Sequence, residues 1–215
     1  MSNTTTCRLK CQQCKTEHEY NLHESVNVTR EPELREQLFS GELTRFKCPA
    51  CGWTGQIWYP LLYHDMQRLF MIWQWPPNSL PEPVEALRGE AMAGYRLRLV
   101  ANRNELLEKI LIFEDHYDDR VMEVVKLALA VQAAKGSGRL IGDWFYAGTI
   151  PAEGGSGEML KFEVLEEDTI YQTSAPRSLY DQLGAALSDK MPPEKQGEWV
   201  RINADYAYSV AKACT

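Results

Sequence analysis

No apolar run in this sequence approaches the length of a membrane span. The longest, Val121 to Ala134, is interrupted by Glu123, Lys126 and Gln132, whereas a spanning helix needs about 20 consecutive, mostly apolar residues. The opening residues, Met1-Ser2-Asn3-Thr4-Thr5-Thr6, lack the positive charge and apolar stretch of a secretory signal, and a cytoplasmic location is expected. Basic stripes are missing too. Residues 1–60 carry seven basic and seven acidic side chains, residues 61–135 nine and eleven, and residues 136–215 seven and twelve, for a net charge of −7. A nucleic-acid backbone would find no concentrated counter-charge, so nucleic acid is not expected as a partner. No glycine cluster follows a strand and opens a helix in the phosphate- or dinucleotide-binding pattern; Gly154-Gly155-Ser156-Gly157 reads as a hairpin turn. Beyond the cysteines described next, no catalytic constellation is found. With 44% apolar and 25% charged residues in 215, the chain still has ample material for a core.

What the sequence does have is six cysteines, four of them at ligand spacing: Cys11 with Cys14, and Cys48 with Cys51. A tetrahedral zinc ion takes four such thiolates, and a chain supplies them by folding two tight knuckles toward each other. In Cys48-Pro49-Ala50-Cys51-Gly52, proline fixes one backbone angle of the turn and glycine permits the left-handed exit. Cys11-Gln12-Gln13-Cys14-Lys15 has neither aid and rests on spacing. Full four-sulfur ligation leaves no open position, so a single structural zinc is expected rather than a catalytic one. The rival is a thiol–disulfide pair, which sits where a strand meets a helix. Gly52-Trp53-Thr54-Gly55-Gln56-Ile57-Trp58-Tyr59-Pro60 after Cys51 does not read as a helix. Cys7, four residues before Cys11, is within metal spacing but reads as a spare thiol, and Cys214 as a tail residue.

Even spacing of Tyr20, Leu22, Val26 and Val28 predicts strands between Thr16 and Thr29. Pro32 with flanking acidic residues opens a short helix through Phe39, stopped at Gly41. One strand is expected over Trp53–Tyr63, and another over Leu69–Trp75 with Met71, Trp73 and Trp75 on one face. The Pro-rich piece from Pro76 to Pro83 reads as a loop, followed by a strand over Tyr95–Val100. A helix capped by Asn104 carries Leu107, Ile110 and Leu111. A second, capped by Asp118, carries Val121, Val124, Val125 and Leu129 and ends at Gly136. Strands over Leu140–Ile150 and Leu160–Leu165, a helix over Leu179–Leu187, an extended Trp199–Ile202 and a closing helix over Tyr206–Lys212 complete the chain. The class is α+β: an N-terminal four-cysteine zinc ribbon with a helical insertion, packed on an α+β body with a β-rich C-terminal part. The expected divisions are a ribbon-like domain over 1–65, a strand and two-helix segment over 66–136, and an acidic α+β region over 137–215.

The segment Phe46-Lys47-Cys48-Pro49-Ala50-Cys51-Gly52 resembles the CpXC family, named for cysteine motifs of this kind. Leu61-Leu62-Tyr63-His64-Asp65, the run from Glu108 to Asp115, and Asp118-Asp119-Arg120 extend the likeness over roughly residues 7 to 130. The first pair departs from the family pattern, with Gln12 where proline is usual. The resemblance implies a metal-binding domain and brings no established activity.

Further candidates each have a plainer reading. His64-Asp65 suggests a base with its orienting carboxylate, or a turn closing a strand. Glu114, Asp115, Asp118 and Asp119 around His116 offer oxygen ligands to a divalent cation, or form a solvated turn. Trp53, Trp58, Trp73, Trp75, Tyr59 and Tyr63 suggest an aromatic platform, or a packing seam. Glu166-Glu167-Asp168 could engage a basic surface, or simply keep an edge soluble. The expectation is a zinc-binding, non-enzymatic module that docks a protein partner. The alternative is an enzyme or thiol-redox protein using Cys48 and Cys51 or a cleft centred on His64 and Asp65.

Overall fold

A computed structural model describes residues 2–77, 87, 92–137, 142–152, 154, 157–195 and 197–214. Most of the Pro-rich stretch and the middle of the glycine turn, Gly155-Ser156, lie outside the described residues. In chain order the elements are β1 (Asn3–Lys10), β2 (Glu17–Asn27), α1 (Glu33–Ser40), β3 (Arg45–Lys47), β4 (Thr54–Gln56), β5 (Leu61–Asp65), β6 (Phe70–Gln74), β7 (Arg96–Val100), α2 (Arg103–Glu114), α3 (Asp119–Ser137), β8 (Asp143–Pro151), β9 (Glu158–Glu166), β10 (Thr169–Pro176), α4 (Arg177–Leu187), β11 (Trp199–Val200) and α5 (Ala204–Ala213). The class is α+β, with clustered N-terminal cysteines and a strand-rich C-terminal part. Among the described residues no helix is long and apolar enough to cross a membrane.

The chain divides into two compact units, Met1–Arg103 with Gln196–Trp199, and Asn104–Lys195 with Val200–Thr215. The first is built on a six-stranded sheet in the order β1-β2-β5-β6-β7-β11. β1 and β2 form an antiparallel hairpin, and only the end of β2, Ser25–Asn27, pairs with β5. The hairpin therefore extends beyond the sheet, with the first cysteine pair at its turn. β3 and β4 make a separate small hairpin with the second pair at its turn. Helix α1 lies between these hairpins in sequence. It starts after Pro32 and stops at Gly41, whose φ of 76° is the left-handed cap the sequence reserves glycine for. Arg103 Nη2 closes that end, donating to Leu38 O and Phe39 O at 2.8 Å. Met71 and Trp73 pack with Leu97, Leu99 and Trp199, and Trp75 leans on this cluster.

The strand expected over Trp53–Tyr63 is two strands. Tyr59-Pro60 separates β4 from β5 because proline offers no N–H to a ladder and fixes its φ.

The second unit sets α2, α3, α4 and α5 with the three-stranded antiparallel sheet β10-β9-β8. Asp118 starts α3 as expected, accepting from Arg120 N at 2.9 Å. Val124 packs with Leu187, Ala207 and Val210. In α2 the expected stripe of Leu107, Ile110 and Leu111 is not the buried face. Leu106, Ile110 and Phe113 are buried, and Glu108 and Lys109 with them. Lys109 Nζ lies 2.8 Å from Glu123 and 3.2 Å from Asp119, and Lys126 Nζ 2.8 Å from Glu108 and 3.0 Å from Glu123. Glu108 also accepts from the Tyr146 backbone N–H at 2.8 Å. Helical periodicity missed this face because it assumes that charges point to water. Here they satisfy one another inside. The sequence also gave no sign of β10, whose residues are exposed except Ala175.

Candidate metal centre

The two cysteine knuckles are built alike. In the first, Cys11 N donates to Thr16 O at 2.9 Å and Lys15 N to Cys11 O at 3.0 Å. In the second, Cys48 N donates to Trp53 O at 2.8 Å and Gly52 N to Cys48 O at 2.9 Å. In both, the residue after the second cysteine is left-handed: Gly52 at φ 74° and Lys15 at φ 64°. Lysine thus holds the conformation that the second knuckle gives to glycine, steadied by its own ammonium on Gln12 O. The two Cys-x-x-Cys turns share one backbone geometry, with lysine at the exit of the first and glycine at the exit of the second.

The four sulfurs Cys11, Cys14, Cys48 and Cys51 lie within 4.8 Å of one another. Across the knuckles, Cys11 Sγ is 3.7 Å from Cys51 Sγ, and Cys14 Sγ is 3.6 Å from Cys48 Sγ. A tetrahedron of thiolates about 2.3 Å from a central ion has sulfur–sulfur edges of about 3.8 Å. A disulfide would need a separation of about 2.05 Å. These distances fit a metal ion between the knuckles, and all six cysteines are free thiols.

Cys11 and Cys48 are buried against Phe46, with Leu9, Tyr20, Trp53 and Ile57 around them, while Cys14 and Cys51 are exposed. Hydrogen bonding from the Thr16 hydroxyl, then its backbone N–H, brings the Cys14 pKa down to about 6. At Cys51 the Trp53 N–H pulls the same way, but desolvation and the three neighbouring sulfurs outweigh it and push the thiol up to about 12. His18 Nε2 stands 3.4 Å from Cys48 Sγ and tilts against Phe46.

A family model described as CpXC protein matches residues 9–126, just over half of the chain. The chain belongs to the CpXC family. No curated protein and no solved structure matches it. The matched CpXC region takes in both knuckles of the first unit and continues into α2 and α3.

The remaining candidates of this CpXC protein fall elsewhere. Cys7 faces Tyr20 in the β1–β2 ladder, four residues and about 13 Å of extended chain from Cys11. Cys214 is exposed beyond α5. His64 and Asp65 are neighbours on β5 and project to opposite faces. Asp65 accepts from Gln67 N and Arg68 N and pairs with the Arg68 guanidinium, closing the β5–β6 turn. His64 lies 3.2 Å from Tyr95 OH, and desolvation holds its pKa below the usual histidine value.

The acidic run around His116 is dispersed. Asp115 accepts from Tyr146 OH at 2.6 Å, Asp118 caps α3 and holds Arg120, and Asp119 is buried beside Lys109. Among the described residues, the four cysteines are the one group placed to hold a metal. The aromatic set is divided between packing roles. Trp53 meets Phe46, Tyr63 stacks on Phe70, and Trp73 contacts Trp75 and Trp199; Trp58 is half exposed. Sequence reasoning missed His18 beside Cys48. Its one legible signal is alternation: His18 and Tyr20 share a face of the strand that leaves the first knuckle.

Proposed function

We propose that this CpXC protein is a zinc-binding, non-enzymatic module in which Cys11, Cys14, Cys48 and Cys51 hold one structural zinc and the folded chain docks a protein partner. The observation that carries the reading is the pair of cross-knuckle sulfur distances, 3.6 and 3.7 Å, which suit tetrahedral thiolate ligation. Zinc suits it best among common ions, because four thiolates on paired turns form a closed structural site. When bound, the ion ties two hairpins that share only the small apolar cluster around Phe46, and it supplies no position for substrate.

Nucleic acid fits the surface poorly. Arg8 stands opposite Glu19 and Lys10 opposite Glu17 in the β1–β2 register, so the charges nearest the first knuckle alternate in sign. The chain's net charge of −7 favours a partner with a basic surface.

The test is zinc content and native thiol reactivity, measured on one sample of protein purified without added metal. One zinc per chain, with four thiols protected until a chelator is added, is the expected result. A metal-free protein with a reversible Cys48–Cys51 disulfide would overturn the reading in favour of redox chemistry.

A further inference from the structure

The three-stranded sheet of the second unit has two edges. At β8 the edge is closed: the Tyr146 N–H is taken by buried Glu108, and the β8–β9 register is interrupted between Tyr146 and Thr149. At β10 it is open. β10 is the terminal strand in the order β10-β9-β8, eight residues long and regular in register over its whole length. Its sequence, Thr169-Ile170-Tyr171-Gln172-Thr173-Ser174-Ala175-Pro176, carries no charge, although residues 136–215 hold nineteen charged side chains. Ile170 is 62% and Tyr171 52% exposed. Sheet edges are usually blunted by charge, bulges or cover. The outer edge of the six-stranded sheet follows that rule, since β1 carries Arg8 and Lys10 and a register shift after Asn3.

The two ends of β10 are oppositely charged. Glu166-Glu167-Asp168 leads into the strand, and Arg177 leaves it as the first residue of α4. Helix α4 follows Pro176 with no side-chain cap and no acidic residue in its first turn, and the carboxylates at that end, Glu158 and Asp181, lie against Arg177. Arg177 is half exposed while holding Glu158. An antiparallel copy of the same strand would place its acidic turn beside that helix end and Arg177, twice by symmetry.

We propose that β10 is a self-association seam, on which a second copy of this chain pairs its own β10 antiparallel about a two-fold axis near Gln172 or Thr173. The seam joins two three-stranded sheets into one of six strands and is independent of the metal reading. The turn Glu167-Asp168 closes the β9–β10 hairpin on the pair Glu166 and Thr169. In a two-residue hairpin that pair is hydrogen-bonded, so Thr169, Tyr171 and Thr173 point their backbone groups to β9. Ile170, Gln172 and Ser174 then point theirs outward. Pro176 shares the outward parity and has no N–H to withhold from β9. The second copy takes up these outward groups, with Ile170 and Tyr171 covered by the facing strand.

The experiment is sedimentation equilibrium of the metal-loaded full chain, with amide exchange followed at several protein concentrations. A dimer is expected, with the amides of Ile170, Gln172 and Ser174 gaining protection as concentration rises. Gln172→Pro removes an outward N–H and leaves the β9 ladder intact, and it should weaken the dimer at least tenfold. Asp168→Arg should also dissociate it, by setting like charges together, and Asp168→Arg with Arg177→Asp should restore it. That charge-swap rescue keeps the test decisive if the proline variant misfolds. A wild-type chain that stays monomeric to about 1 mM, a dissociation constant at the weak end of specific association, overturns the proposal. So does a dimer that Asp168→Arg leaves unchanged, or a double variant that stays monomeric.

Discussion

Exchanging the two left-handed residues of the knuckles tests whether the cysteine turns are clamped in the geometry seen here. At Gly52, φ is 74° and an added Cβ would meet nothing within 4 Å. Gly52→Ala therefore introduces no clash, and its whole cost is backbone conformation, about 1 kcal/mol for one residue placed in the left-handed region. In the proposed metal site the knuckle closes around the ion, so that cost appears in metal affinity as about a fivefold weaker Kd. Lys15→Gly works in the opposite sense. It relieves the strain at φ 64° but gives up the Lys15 bond to Gln12 O and adds unfolded-state freedom. The net gain should be below about 1 kcal/mol, tightening binding by less than about fivefold. The assay is competition for cobalt(II) against a chelator, read from the thiolate charge-transfer band, with thermal melts of the loaded protein alongside. Gly52→Ala with wild-type affinity and melting would refute the reasoning, because it would mean that the exit residue is free to leave the left-handed region.

Three other outcomes follow from the geometry. Stripping the ion with a strong chelator should unfold the hairpins around Cys11 and Cys48, releasing a folding contribution of about 10–16 kcal/mol by analogy with small zinc domains; loss of near-ultraviolet circular dichroism from Trp53 would report it. Lys109→Met should destabilise the second unit by about 3–5 kcal/mol, because buried Asp119 and Glu123 would each lose an ammonium partner, and urea denaturation measures it. High pH should have a related effect. Desolvation opposes the charge on Lys109 and Lys126, but Glu123 with Asp119 at the first, and Glu108 with Glu123 at the second, outweigh it and raise both pKa values above 10.5. A lysine raised on folding gives stability that is complete below its unfolded pKa and lost as pH rises through the folded one. The melting temperature should fall above about pH 10.5, and a flat profile to pH 12 would contradict the network.

The cysteine cluster was legible because its code is local: two residues between thiols, a proline inside one turn and a glycine after it. The stop of α1 at Gly41 and the start of α3 at Asp118 were legible for the same reason, both standing where backbone geometry demands them. The ion network of α2 and α3 was hidden because its partners are brought together only by tertiary packing. Lys109 meets Glu123, fourteen residues away, and Glu108 meets Lys126, eighteen away. Read singly, each of these side chains looks like part of a solvated helix face. Lys15 was hidden differently: nothing in a lysine announces a left-handed turn, and only the parallel with Gly52 explains it.

The same distinction separates the candidate sites. His64 and Asp65 are adjacent in sequence, which suggested a pair, yet adjacency on a strand sends two side chains to opposite faces. Asp65 is taken up by the turn that follows it and by the Thr29 hydroxyl, and His64 by Tyr95 and Asn27. Cys48 and Cys14 are thirty-four residues apart, and their sulfurs meet at 3.6 Å. Spacing on a turn aims two side chains at one point, whereas neighbours on a strand diverge, so the motif with a gap in it is the one that builds a site. A substitution series makes the contrast measurable. Asp65→Asn should cost about 1–3 kcal/mol of stability by weakening its charged hydrogen bonds to Arg68 and to the turn amides, and metal content should not change. Cys14→Ser removes one ligand and should release the ion at an unchanged β5–β6 turn. If Asp65→Asn also lost the metal, the hairpins and the sheet would be one cooperative site, and the independence of turn and knuckle argued from their geometry would fail.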